Sequence, residues 1–88
     1  MTTVISLTRI DDAGKRTSLG YYLLQEKPFG MIWTEREWVS LVPGATMPAR
    51  IHPVADYLME TSNTRVITIE YDGDYKLILC KEEVDEGS

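Results

Sequence analysis

The sequence predicts an α+β fold: a small single domain with an antiparallel sheet of two hairpins and two short helices packed on one face, in the order ββ-α-α-ββ. Three observations predict it. Residues 3–10 with 17–25, and 65–71 with 75–81, are two pairs of β-rich runs joined by turn residues. The stretch between the pairs carries two helix-start patterns. Finally, 88 residues at 43% hydrophobic and 26% charged suit one modest core rather than two domains or a disordered chain. The domain is assigned to residues 1–83 and an acidic flexible tail to 84–88.

The first hairpin joins "TVISLTRI" to "TSLGYYLLQ" through "DDAGK". A three-residue loop, Asp12-Ala13-Gly14, lets Gly14 take the left-handed position and sets Leu7 opposite Leu19 and Ile5 opposite Tyr21. A slip by one residue would put Leu7 against Gly20 and scatter the apolar face.

Next comes "KPFGMIWTEREW", with both tryptophans and the single phenylalanine of the chain. Thr34 and Glu37 have the spacing of a capping box, and Trp33 and Trp38 then occupy the two positions of a hydrophobic staple. With Leu41 and Val42 on the same stripe, this predicts a helix of about two turns ended by Pro43-Gly44, with "GMIW" before it as a candidate extra strand. A helix so short is marginal alone, so it needs the sheet beneath it. Phe29, before Gly30, has no structural role in this reading and is therefore a binding candidate.

The segment "PGATMPARIHP" at 43–53, with three prolines, reads as an exposed loop. "HPVADYLMETSN" then predicts a second helix over about 53–62, with Pro53 at its first position and Val54, Tyr57, Leu58 and Thr61 at helical spacing. In the last hairpin, Asp72-Gly73 invites a two-residue turn. A three-residue loop, Asp72 to Asp74, instead pairs Ile69 with Leu77, Tyr71 with Tyr75 and Glu70 with Lys76. Six apolar residues on one face outweigh the dipeptide, since each buried side chain is worth ~1.5–3 kcal/mol.

The charge is uneven. From residue 70 onward, Glu70, Asp72, Asp74, Glu82, Glu83, Asp85 and Glu86 face only Lys76 and Lys81, whereas residues 1–69 balance, so the net charge of −5 sits in the last hairpin and tail. Such a pole repels phosphate backbones, which argues against direct nucleic-acid binding, and steers toward a basic partner surface. Apolar runs are too short for a membrane span and the N-terminus lacks a signal-peptide pattern, so a soluble, cytoplasmic protein is expected. One cysteine, Cys80, agrees with a reducing compartment.

Catalytic chemistry is sparse. His52 and Cys80 are the only histidine and thiol, a nucleophilic pair needs them in contact with an orienting third group, and two such residues fall short of a structural zinc set. "YDGDY" has the wrong order for a calcium loop, and no glycine-rich phosphate cradle occurs. No catalytic residue, metal or cofactor is therefore assigned. "EEVD" at 82–85 resembles the chaperone tail read by carboxylate-clamp repeat domains, but Glu86-Gly87-Ser88 follow where that recognition uses a free terminal carboxylate. In size, acidity and lack of catalytic groups the chain is similar to small accessory and inhibitor proteins of phages and mobile elements, including anti-CRISPR proteins and DNA mimics, a likeness that rests on no motif.

The expected function is a non-catalytic acidic protein-interaction module, a small inhibitor or accessory protein that binds a basic surface of a nucleic-acid-handling partner. Its contact residues would be Glu70, Asp72, Asp74, Glu82, Glu83, Asp85 and Phe29. The alternative is a small-ligand-binding regulatory domain or a homo-oligomeric subunit, a homodimer for instance, that uses Phe29, Tyr22, Tyr57 and the proline-rich loop.

Overall fold

A computed structural model describes residues 2–71 and 73–85. The elements are β1 (Thr2–Asp11), β2 (Arg16–Phe29), β3 (Trp33–Ser40), a 3-10 turn (Ala49–Ile51), α1 (His52–Glu60), β4 (Val66–Tyr71) and β5 (Tyr75–Val84). All five strands join one antiparallel sheet in the order β3-β2-β1-β5-β4, curled into a half-barrel. The first and last strands are central neighbours, and the segment from β3 to β4 carries α1 across to the far edge.

This overturns the expected ββ-α-α-ββ order with two helices on a two-hairpin sheet. The predicted first helix is a strand, β3, paired along its whole length with β2, which runs on to Phe29 rather than ending near Gln25. The reason is pairing. A Thr-x-x-Glu spacing satisfies only the first turn of a helix, while Trp, Thr and Val favour the pleated surface and eight residues of β2 offer a complete set of backbone partners. The charges agree with the strand: Glu35-Arg36-Glu37 lies opposite Lys27-Glu26-Gln25.

The first hairpin keeps its predicted loop but not its whole register. Asp11 Oδ1 accepts from the Ala13 and Lys15 amides, 3.0 and 2.9 Å, and Thr8, Arg9 and Ile10 pair with Ser18, Thr17 and Arg16. The register then shifts between Leu7 and Thr8, so that Leu7 faces Gly20 and Ile5 faces Tyr22 instead of Leu19 and Tyr21. Gly20 makes the shift feasible, at φ +111°. A Cβ there would meet Ala45 Cβ and the Tyr22 hydroxyl at 3.3 Å, so a missing side chain lets the segment after β3 cross this point. The slip does not scatter the core: it brings Tyr22 inward and leaves Tyr21 half-exposed on the other face.

The last hairpin has the predicted register, with Ile69 opposite Leu77, Glu70 opposite Lys76 and Tyr71 opposite Tyr75. Leu77 and Leu79 from β5 join Ile5, Leu7 and Tyr22 on the inner face, where they meet Met47, Ile51, Ala55 and Leu58. The proline-rich segment is thus not a plain exposed loop, because Met47 and Ile51 are buried at 4% and 1% exposure. Helix α1 runs from His52 to Glu60, against the 53–62 that the sequence predicts, with Pro53 in its first turn, and buries Ala55 and Leu58. Tyr22, a suggested surface aromatic, is core, whereas Tyr57 is 61% exposed.

Candidate functional site

Beyond the Ile5–Tyr22 pair, β2 has no partner on its β1 side among the described residues, and residues 23–29 run on with 33–39 of β3 as a two-stranded ribbon. Seven residues of extended chain project roughly 23 Å. The molecule is correspondingly elongated, 49 × 31 × 31 Å with a radius of gyration of 14.1 Å, against ~12 Å for an ordinary domain of this length.

Named contacts hold the ribbon. Arg36 lies opposite Glu26 and pairs with its carboxylate at 3.2 Å, and reaches Glu60 near the end of α1 at 3.3 Å. Trp38 donates its indole N–H to Asp56 Oδ1 of α1 at 2.9 Å. Lys27 and Glu37 bridge on the other face at 3.3 Å. Each exposed ion pair contributes little alone, but together they tie the base of the ribbon to the helix and fix its direction.

At the apex the character changes from charged to apolar. Phe29 and Trp33 face each other and close a three-residue loop, Gly30-Met31-Ile32, with Gly30 at φ +73°. Exposure is 65% for Phe29, 101% for Met31, 86% for Ile32 and 69% for Trp33. Four large apolar side chains in five residues are held in water by a polar stem, the pattern of a contact surface rather than of a scattered exposed residue. An open cleft of about 350 Å³ lies beside them, lined by Phe29, Trp33, Thr34 and Glu35.

Of the residues proposed from sequence, Phe29 lies at this apex. The acids do not form one patch. Glu70 and Asp74 lie near the first hairpin's Asp11 and Asp12 at one end of the sheet, while Glu82, Glu83 and Asp85 lie at or beyond the opposite end of β5. All five are exposed, and Asp72 lies outside the described residues. The second group flanks the root of the ribbon: Glu82 and Glu83 line a cleft with Val4, Tyr21, Leu41, Val42 and Val84. Sequence reasoning missed Met31, Ile32 and Trp33 as surface residues. Their signal was the polar triplets on either side, Gln25-Glu26-Lys27 and Glu35-Arg36-Glu37, which mark a cross-strand stem.

His52 and Cys80 do not meet. The His52 ring Nε2 lies 3.1 Å from the Met47 carbonyl beside α1, whereas Cys80, opposite Ser6 and Val66, alternates to the outer face from Leu79. Among the described residues no three Cys, His, Asp or Glu side chains gather as a metal set. The buried Tyr22 hydroxyl donates to the Leu19 carbonyl at 2.6 Å, and burial pushes its pKa above the ordinary phenol range.

No family model, curated protein or solved structure matches the chain.

Proposed function

We propose that this protein is a non-catalytic protein-interaction module that seats the apex of its β2–β3 ribbon, Phe29, Met31, Ile32 and Trp33, in an apolar recess of a partner protein. The exposure of these four side chains on a braced stem carries the reading. Removing ~25 cal/mol per Å² of apolar surface from water on docking supplies the driving force, and bracing the stem beforehand lowers the ordering cost. The acids at the ribbon root, Glu82, Glu83 and Asp85, favour a basic surface around that recess and would speed the encounter. A basic groove that normally holds nucleic acid fits these requirements, so the role of a small inhibitor or accessory protein remains the specific form of the proposal. A protein partner is favoured over a lipid surface because the net charge is −5 and Glu26, Glu35 and Glu37 stand just behind the apex, where anionic headgroups would repel them.

The test is parallel affinity capture from the native host with wild type, with an apex variant (F29S/M31S/I32S/W33S) and with a root variant (E82Q/E83Q). One partner retained by wild type, lost with the apex variant and recovered at higher salt dependence by wild type than by the root variant supports the reading. A partner captured equally by the apex variant, or apex-dependent flotation with lipid vesicles instead of protein capture, would overturn it.

A further inference from the structure

We propose that two copies of this chain pair through β4, edge to edge and antiparallel, about a two-fold axis at Thr68, so that the two five-stranded sheets become one. This is independent of the ribbon apex. Strand β4 ends the sheet order, and among the described residues no strand lies beyond it. The Lys81 amide donates to the Arg65 carbonyl at 2.8 Å, and these two residues stand opposite each other in the register of the β4–β5 ladder. Alternation then directs the backbone N–H and C=O of Ile67 and Ile69 toward β5, and those of Val66, Thr68 and Glu70 toward the open edge.

The two edges of the sheet are not alike. On β3 the Glu-Arg-Glu triplet stands along the strand, with Arg36 bound to Glu26 and Glu60 and Trp38 bound to Asp56. Charges of that kind block strand addition. On β4 the run Val66-Ile67-Thr68-Ile69 has no charge, proline or glycine, is strongly β-favouring, and leaves Val66 54% exposed.

The sequence of β4 also selects a second β4 as occupant, and one register. An axis at Thr68 sets Ile67 of each copy opposite Ile69 of the other, which continues the inner-face rows Leu79–Ile67 and Leu77–Ile69 across the junction. Both isoleucines are only half-buried in the single chain, so the pairing completes their burial. Glu70 falls opposite Val66, with no like charges facing. An axis at Glu70 would oppose two carboxylates, and an axis at Val66 would leave Ile69 facing Asn63.

Sedimentation equilibrium over a concentration series tests this on the full chain, and the expected result is a mass rising from 10.0 kDa toward twice that value. Thr68→Pro removes an outward N–H without removing a bond to β5 and should hold the protein at monomer mass, as should Thr68→Lys, with an unchanged circular dichroism spectrum. The apex variant F29S/W33S should still dimerise. In a Cys80→Ser background, Thr68→Cys should oxidise to a covalent dimer, because directly opposed hydrogen-bonded residues lie ~5.5 Å apart at Cα, within disulfide reach, while Val66→Cys should not. A monomer at every concentration, a dimer that persists in folded Thr68→Lys, or equal cross-linking by Val66→Cys would each overturn the proposal.

Discussion

Phe29 and Trp33 lie directly opposite each other at the end of the β2–β3 ribbon, and both remain about two-thirds exposed. An aromatic cross-strand pair normally contributes through burial, yet among the described residues this pair is followed only by the exposed Gly30-Met31-Ile32 loop. Its contribution to folding is accordingly small, which separates the apex from the core and makes it open to mutation.

Serine at Phe29 and Trp33 together should cost less than about 1 kcal/mol of stability, the range for an exposed cross-strand pair. By contrast, Leu79→Ala, at a side chain with 0% exposure in the centre of the core, should cost ~2–5 kcal/mol. Urea denaturation of the two variants checks the contrast. A large loss from the apex double variant would mean that the apex is structural.

Arg36→Ala removes the pairs to Glu26 and Glu60 at once. Because the partners are 40–65% exposed, the global stability should change by no more than about 1 kcal/mol. The local effect should be larger: the Glu35 and Glu37 amides, which alternation from the Leu41–Tyr21 hydrogen bond directs toward β2, should exchange with deuterium faster, while those of β1 and β5 should not change. Uniform acceleration across the sheet would show that Arg36 supports the whole fold.

Two glycines with left-handed backbones should respond differently to alanine. At Gly30 a Cβ meets nothing within 4 Å, so Gly30→Ala carries only backbone strain, about 1 kcal/mol. At Gly20 the same strain adds to contacts of 3.3 Å with Ala45 Cβ and the Tyr22 hydroxyl, and Gly20→Ala should cost roughly 2–4 kcal/mol from strain and overpacking together. Thermal melts of the pair would rank them, and equal losses would remove the packing role assigned to Gly20.

Tyr22 gives a pH dependence with a definite sign. Burial raises its pKa in the folded state, so the folded chain keeps the phenol proton at a pH where the unfolded chain releases it. This group therefore leaves stability unchanged below the unfolded value of about 10 and reduces it as pH rises from there toward the folded value. Tyr22→Phe should lose about 1 kcal/mol at neutral pH, from the unpaired Leu19 carbonyl, and fall less steeply than wild type above about pH 10. Parallel alkaline slopes for the two proteins would contradict the assignment.

The last hairpin was legible because its apolar residues alternate over two runs of similar length, leaving one loop size that aligns Ile69 with Leu77. The helix at His52–Glu60 was legible from Pro53 and its spacing. The ribbon was not. Residues 33–38 satisfy a capping box and a staple as well as a strand, and only the presence of β2 alongside, with Glu26 and Lys27 in reach of Arg36 and Glu37, decides between them.

The sequence by itself determined the loop of the first hairpin, the register of the last hairpin and the position of α1, each set by residues within a few positions of one another, and the sign of the net charge. Tertiary structure decided what depends on distant partners. It placed β1 beside β5, shifted Leu7 onto Gly20 where the Ala45 segment packs close, divided the acids between two ends of the sheet, and left Phe29, Met31, Ile32 and Trp33 in water at the end of a braced ribbon. Burial and exposure are properties of the whole chain's packing, and no short window of residues carries them.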